Sequence, residues 1–344
     1  VVMAGGGTSN EYNKISGPTR TGDNQYDDIQ QAMNDAGMET PDIDFINTHG
    51  TATVYNDEME SKAVHLAGLH NVPVNSLKSY VGHTLGTAGV IESIICAHQL
   101  TDNILFGTLA FKELGVPMPI KVQATHQSSS AHTCVKTASG FGGCNAAVVL
   151  TTSPQKVNTS LPDTEPTFTV SPTLLIQNSR IRLEEETLFI SKEQSFATFI
   201  REAFKQTGES NMKFYKMDDL CKLGYIAAHY LFKDKEYAPT EIGIILANSS
   251  ASLHSDLKHQ ILIDKDGDQG AGPAIFVYTL PNVVSGEICI RHKIQGENTF
   301  FIQEECDTTD LECYARIAMQ KQQLKICMVG WGELVKEEYK GMFK

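Results

Sequence analysis

The sequence predicts an α/β layer structure from three observations. Helix-period and strand-type segments alternate through the first 150 residues, polar glycine-rich segments follow the strands, and the alternation returns after residue 240. Asp23 is placed to cap a helix in which Tyr26, Ile29, Met33 and Ala36 share a face, and Gly37 ends it. Ile43, Phe45 and Ile46 predict a short strand running into residues 47–53. A helix follows Asn56, and residues 72–77 read as the next strand. The segment 82–89 comes next, then a helix through Val90, Ile91, Ile94, Ile95 and Leu100. Two strands, 134–139 and 146–150, are joined by the glycine-rich turn 140–145. Each polar glycine-rich segment sits at a strand end, where ligand sites are favoured.

Composition divides the chain near residue 152. The first part holds 16 of the 27 glycines and 7 of the 11 histidines, whereas the second is rich in charge. Residues 151–172 carry Ser, Thr and four prolines, Pro154, Pro162, Pro166 and Pro172, which resist regular structure and read as a linker. The expected organisation is 1–152, a linker over 153–172, and 173–344. The second part predicts strand-like material at 167–170 and 174–182, a helix over 192–205, and a buried strand at 241–249. A helix from Pro281 to His292, a strand over 299–302, a helix over 310–321 and an apolar strand from 326 into Gly330-Trp331-Gly332-Glu333 complete it.

The 344 residues carry 28 basic and 41 acidic side chains, a net charge of −13. That balance, spread along the chain, repels phosphate and argues against a nucleic-acid or anionic-membrane binder. No stretch reaches the roughly 18 apolar residues of a membrane span and no signal-peptide pattern opens the chain, so a cytoplasmic protein is expected. Eight cysteines without a CxxC pair suit reduced thiols better than disulfides, and the histidines lack zinc-ligand spacing, so neither metal nor cofactor is expected.

His49 and His83 each follow an apolar strand beside glycines, which let a backbone approach a ligand and free an imidazole to enter a cleft. Each alone is more often a surface or core histidine, and Lys78 more often a solvated cation. Their joint occurrence is what singles them out. The segments His49-Gly50-Thr51-Ala52-Thr53, Asn75-Ser76-Leu77-Lys78 with Gly82-His83-Thr84, and Ser139-Gly140-Phe141-Gly142-Gly143-Cys144-Asn145 resemble the C-terminal half of β-ketoacyl-acyl-carrier-protein synthases, in family order and spacing. The likeness covers nearly all of residues 1–152. It departs at Ala52, where the family usually has glycine.

The resemblance implies a thiolase-like layered α-β-α architecture, with mixed sheets and helices on both faces. It implies decarboxylative condensation of acyl and malonyl carrier-protein thioesters in fatty-acid, aryl-polyene or polyketide-type synthesis. His49 and His83 would donate N–H groups to the thioester oxygen, which gains negative charge as carbon dioxide leaves. Lys78 would hydrogen-bond near His83 and hold the charge and geometry. Thr51 and Thr53 would contact the pantetheine arm, and Phe141 beside Gly142 would gate the acyl pocket. The implied partners are acyl carrier protein and a second ketosynthase subunit, identical or different. Arg291, His292 and Lys293 form one candidate basic cluster for an acidic carrier, with a solvated helix face as the alternative.

The family's cysteine nucleophile belongs to its N-terminal half, so a chain opening at Val1 inside the other half predicts truncation. Residues 166–344 resemble, more faintly, a degenerate copy of that N-terminal half. Counted back from Gly330, Cys306 falls at the nucleophile position; counted forward from Asn298, Glu305 does. Glu304, Glu305 and Asp307 surround Cys306 and disfavour a thiolate. Two organisations fit this order: a synthase tail fused to a synthase-like neighbour, which the second part's own opening strands favour, or a permuted single fold. Two functions fit as well, an enzyme part or a non-catalytic partner that dimerises with an active synthase and shapes chain length.

Overall fold

The computed structural model describes residues 1–153, 168–233 and 235–344. It divides into two compact units, Val1–Asp163 and Thr164–Lys344. Most of the expected linker, together with Thr167 of the expected strand at 167–170, lies outside the described residues. Residues 168–170 form no strand. Their sequence Phe-Thr-Val reads as strand by propensity alone, but no neighbour supplies a ladder.

The first unit runs β1 (Val2–Asn10), α1 (Asp23–Asp35), β2 (Phe45–Asn47), α2 (Val54–Leu66), β3 (Pro73–Asn75), α3 (Lys78–Val81) and α4 (Ala88–Thr101). It continues through β4 (Ile104–Leu105), β5 (Lys121–Val122), β6 (Gln127–Ser128), β7 (Thr133–Ser139) and β8 (Cys144–Thr151). Six strands form one mixed sheet in the order β1-β8-β7-β2-β3-β5, with β4 and β6 in a separate ribbon. The pleat sends successive residues to opposite faces. Ile46, Val135 and Val149 therefore pack with Ile29, Ala32 and Met33 of α1 and Val64 of α2. Phe45, Cys134 and Leu150 pack on the other side with Cys96 and Leu100 of α4.

Strand β1 was not expected, because Gly5-Gly6-Gly7 interrupts its apolar pattern. Those glycines are what lets α1 lie on it. A Cβ at Gly5 meets the Ala32 carbonyl oxygen at 2.2 Å, and one at Gly7 meets that of Asp28 at 2.3 Å, whereas Gly6 points into open space. Helix α4 also departs from its pattern: Val90 and Ile94 of the expected apolar face are exposed, and Glu92, Cys96 and Gln99 turn inward.

The second unit comprises β9 (Leu174–Gln177), β10 (Arg180–Leu183), β11 (Glu186–Ile190), α5 (Phe196–Gln206), α6 (Asp219–Phe232), β12 (Ile242–Asn248), α7 (Leu253–Asp266) and α8 (Pro273–Phe276). Then come α9 (Val283–His292), β13 (Asn298–Ile302), α10 (Thr308–Gln322), β14 (Ile326–Val335) and β15 (Glu338–Phe343). Its seven strands order as β11-β10-β9-β15-β14-β12-β13, with β13, β12 and β14 parallel. Ile245, Ala247 and Trp331 pack against Leu311, Ala315 and Ala318 of α10. Leu220 and Leu223 of α6 approach Gly332 from the opposite face. The expected strand at 174–182 is a hairpin, turning at Asn178 and Ser179 with positive φ at both, as a tight two-residue turn requires. Among the described residues no single helix is long and apolar enough to cross a membrane.

Replacing Gly5 or Gly7 with Val is expected to cost roughly 1–3 kcal/mol, the usual penalty for overpacking. Gly6→Ala is expected to stay within about 0.5 kcal/mol of the parent, since nothing meets the added methyl. Urea unfolding of the three variants measures the contrast.

Candidate active site

Strand β2 ends at Asn47, whose Nδ2 donates to Asn75 Oδ1 at the end of β3 (2.7 Å), tying together the strand ends that launch both histidine segments. The loop after β2 is held by one buried carboxylate. Glu60 of α2 accepts from the N–H groups of His49 and Gly50, both at 2.7 Å, and from Asn56 Nδ2 at 2.8 Å. Gly50 has φ +50° and lies so close to Ser76 that a Cβ meets Oγ at 2.2 Å, so only glycine fits. Ala52 has φ +57°, a left-handed conformation that glycine adopts without strain.

The His49 and His83 rings meet edge to face, 5.2 Å between centroids and 81° between planes. Lys78, at the start of α3, is 8% exposed. Its Nζ lies 3.1 Å from His49 Nδ1 and donates to the His49 carbonyl and, at 2.7 Å, to Glu92 Oε1 on α4. The lysine expected to act near His83 thus takes His49 as its hydrogen-bond partner. An ammonium has only donors, so Nδ1 of His49 is an acceptor and the ring proton sits on Nε2. His83 reaches the same tautomer by another route, its Nδ1 accepting from the Leu85 N–H at 3.1 Å. Burial, then Lys78, Lys136 and His83, bring the His49 pKa down to about 3. Burial and Lys78 lower that of His83. Burial also lowers Lys78, against the pull of Glu92. Both imidazoles are therefore neutral at pH 7, each with an Nε2–H to give.

Beside them is a cavity of about 670 Å³, lined by Thr51, Lys78, His83, Thr108, Leu109 and Phe111 among others. The Thr51 and Thr53 hydroxyls lie 2.9 Å apart. Phe141 is 39% exposed on the turn between β7 and β8. Gly142 follows it with φ +92°, its N–H bound to the Ile15 carbonyl at 2.7 Å.

Three charged groups of this site escaped the sequence reading. Glu60, Glu92 and Lys136 are 3%, 1% and 2% exposed, and Lys136 Nζ lies 2.6 Å from Glu92 Oε2. The available signals were a carboxylate in the mostly apolar Val90–Cys96 stretch and a lysine in a strand beside Cys134 and Val135.

Cys306 belongs to the second unit, is exposed, and precedes the N-cap of α10. The Asp307 carboxylate takes that cap, accepting from the Thr309 N–H at 2.8 Å. Burial and Asp307 push the thiol pKa up, with Lys340 opposing. The expected basic cluster is not a free patch. The Arg291 Nε donates to Glu209 Oε2 (2.9 Å) and to the Tyr225 hydroxyl (3.0 Å). Burial, then Arg291, lower the His292 pKa to about 4, leaving an uncharged ring edge to face with Phe232. Packing of α9 against α6 turns two of the three residues into a local network. Among the described residues no three His, Cys, Asp or Glu gather as a metal site.

The family model for the beta-ketoacyl synthase C-terminal domain matches residues 1–112. The chain is 35% identical over 152 residues to 3-oxoacyl-[acyl-carrier-protein] synthase 2 of Rhizobium meliloti (strain 1021), covering 43% of this chain and 36% of that protein. It is 33% identical over 153 residues to a putative polyketide beta-ketoacyl synthase 1 of Streptomyces halstedii, again 43% and 36%. The chain thus spans about a third of the length of these curated relatives. Among solved structures, the PfaC keto synthase–chain length factor aligns with 99% of this chain and 47% of its own, at TM-score 0.68 and 15% identity, a likeness of fold. Residues 1–112 of the first unit thus match the β-ketoacyl synthase C-terminal domain, and the chain shares its fold with a keto synthase–chain length factor protein.

Two outcomes follow. Ala52→Gly is expected to stabilise the chain by about 1 kcal/mol in thermal unfolding, relieving the left-handed alanine. His49 has a folded pKa of about 3, below its unfolded value near 6.5, so the unfolded state binds the extra proton and stability falls as pH drops through that window. In urea titrations from pH 7 to 4, His49→Gln is expected to lose that part of the acid sensitivity.

Proposed function

We propose that the first unit carries out the decarboxylation of a malonyl thioester within a decarboxylative Claisen condensation. The observation that carries this reading is the His49–His83 pair, each ring with Nδ1 occupied and Nε2–H free to donate. Cleavage of the bond to the carboxylate releases carbon dioxide, and its electron pair passes through the α-carbon onto the thioester oxygen as an enolate. Two fixed neutral donors stabilise that oxyanion. The enolate carbon then attacks an acyl thioester, forming the new carbon–carbon bond and expelling a thiolate. Thr51 and Thr53 line or adjoin the cavity, suiting them to the polar pantetheine arm of an acyl carrier protein, while Phe141 is the gate to the acyl pocket.

A second reading applies to residues 173–344, which we infer to be a ketosynthase-like partner subunit that pairs with a synthase and shapes chain length. Its support is the start of α10. Asp307 occupies the helix N-terminus whose N–H groups would otherwise favour a thiolate at Cys306.

The purified chain is expected to decarboxylate malonyl carrier protein slowly and not to elongate an acyl chain, followed by mass spectrometry of the carrier. His49→Ala and His83→Ala are each expected to lower decarboxylation by about 10²–10³-fold, the usual effect of losing one oxyanion donor. An unchanged rate in both variants overturns the role of the pair. Acyl transfer to Cys306 overturns the non-catalytic reading of the second unit.

A further inference from the structure

We propose that Lys136 is a positioning residue of this site: its ammonium balances Glu92, which holds Lys78, and the two lysines together keep His49 neutral with its proton on Nε2. The catalytic meaning of this role rests on the function proposed above, but the charge arrangement itself does not.

Lys136 stands on β7 directly opposite Asn47 of β2, two residues before His49. It interrupts a buried stretch that includes Cys134, Val135 and Thr137. An unpaired ammonium there costs several kcal/mol, so a lysine at this place demands a charged partner. The partner is Glu92: its Oε2 lies 2.6 Å from Lys136 Nζ and its Oε1 2.7 Å from Lys78 Nζ. Lys136 Nζ also donates to the Thr137 carbonyl. Glu92 is thus a two-sided bridge, with one ammonium pointing on to the catalytic imidazole and the other behind it.

The charges around His49 come from every element that approaches it. Lys78 comes from α3, Glu92 from α4, Lys136 from β7, Glu60 from α2 with Asp57 one turn before it, and His83 from the segment after α3. Two buried carboxylates, Glu60 and Glu92, face two buried ammoniums. Without Lys136 the quartet is one unit negative, and negative charge near an imidazole favours its protonated form. Protonation places a hydrogen on Nδ1, which then opposes the Lys78 ammonium and dissolves the contact that orients the ring. A lysine that only filled space would leave this equilibrium unmoved when replaced by an isosteric apolar side chain.

The test uses the full chain with labelled histidines, reading each ring's tautomer and charge from two-bond ¹H–¹⁵N correlations at pH 7 and in a titration to pH 4. In the parent, His49 is expected as the neutral Nε2–H form throughout. In Lys136→Met its midpoint is expected to rise by at least one pH unit, a tenfold gain in proton affinity, so that the charged ring appears within the titration to pH 4 while the neutral form still prevails at pH 7. Lys136→Arg retains the charge and is expected to match the parent. Lys136→Met/Glu92→Gln removes both charges and is expected to return His49 to the neutral form. A folded Lys136→Met chain with the parent's His49 tautomer and midpoint overturns the proposal. So does an Arg or double variant in which His49 titrates between pH 7 and 4, which keeps the question decidable if Lys136→Met does not fold. A chain that shows the expected His49 pattern but never decarboxylates malonyl carrier protein retains this inference and rejects the proposed function.

Discussion

A buried charge must be paired, and that constraint governs the first unit's candidate site. Glu92 sits at its centre, nearly without exposure, between two ammoniums that reach it from different elements. Helix α4 turns this carboxylate inward at the expense of Val90 and Ile94, which stay exposed. Burying two apolar side chains contributes about 3–6 kcal/mol. Breaking one buried ion pair by turning a partner away costs about 3–5 kcal/mol, and Glu92 makes two, which together are enough to set the rotation of the helix.

The same reasoning covers Glu60, though its partners are mostly dipoles. Its two oxygens are taken by the N–H groups of His49 and Gly50, so the backbone of the histidine loop is fixed before any substrate arrives. The ring is then oriented by Lys78 through Nδ1. Backbone and side chain of His49 are held by separate carboxylate-centred contacts, which gives the preorganisation that the proposed oxyanion stabilisation requires. Glycine serves geometry here. Gly50 lets the loop pass Ser76, and Gly5 and Gly7 let α1 settle on β1, completing the sheet face that carries Val135 and Val149.

The second unit has a related three-strand parallel core flanked by helices, yet its charges are spent otherwise. Asp307 caps α10, while burial of Glu209 is outweighed by hydrogen bonds from Arg291, Tyr225 and His229, which hold its pKa down at about 2. These contacts satisfy local groups. They leave Cys306 in a setting that raises its pKa, and they consume Arg291, one of the two lasting cations of the basic cluster.

The sequence by itself determined the α/β class, the succession of most helices and strands, and that His49, His83 and Lys78 belong together. Those follow from local periodicity and from motifs of three to seven residues, which survive without knowledge of contacts. Strand β1, the rotation of α4, and the roles of Glu60, Glu92 and Lys136 belonged to tertiary structure alone. A glycine run reads as a loop until a helix is seen lying on it. A lone lysine in a strand or glutamate in an apolar helix has no meaning until the fold brings the two within 2.6 Å. Electrostatic pairing depends on distance through space, and residues 92 and 136 become neighbours only once β7 and α4 pack together.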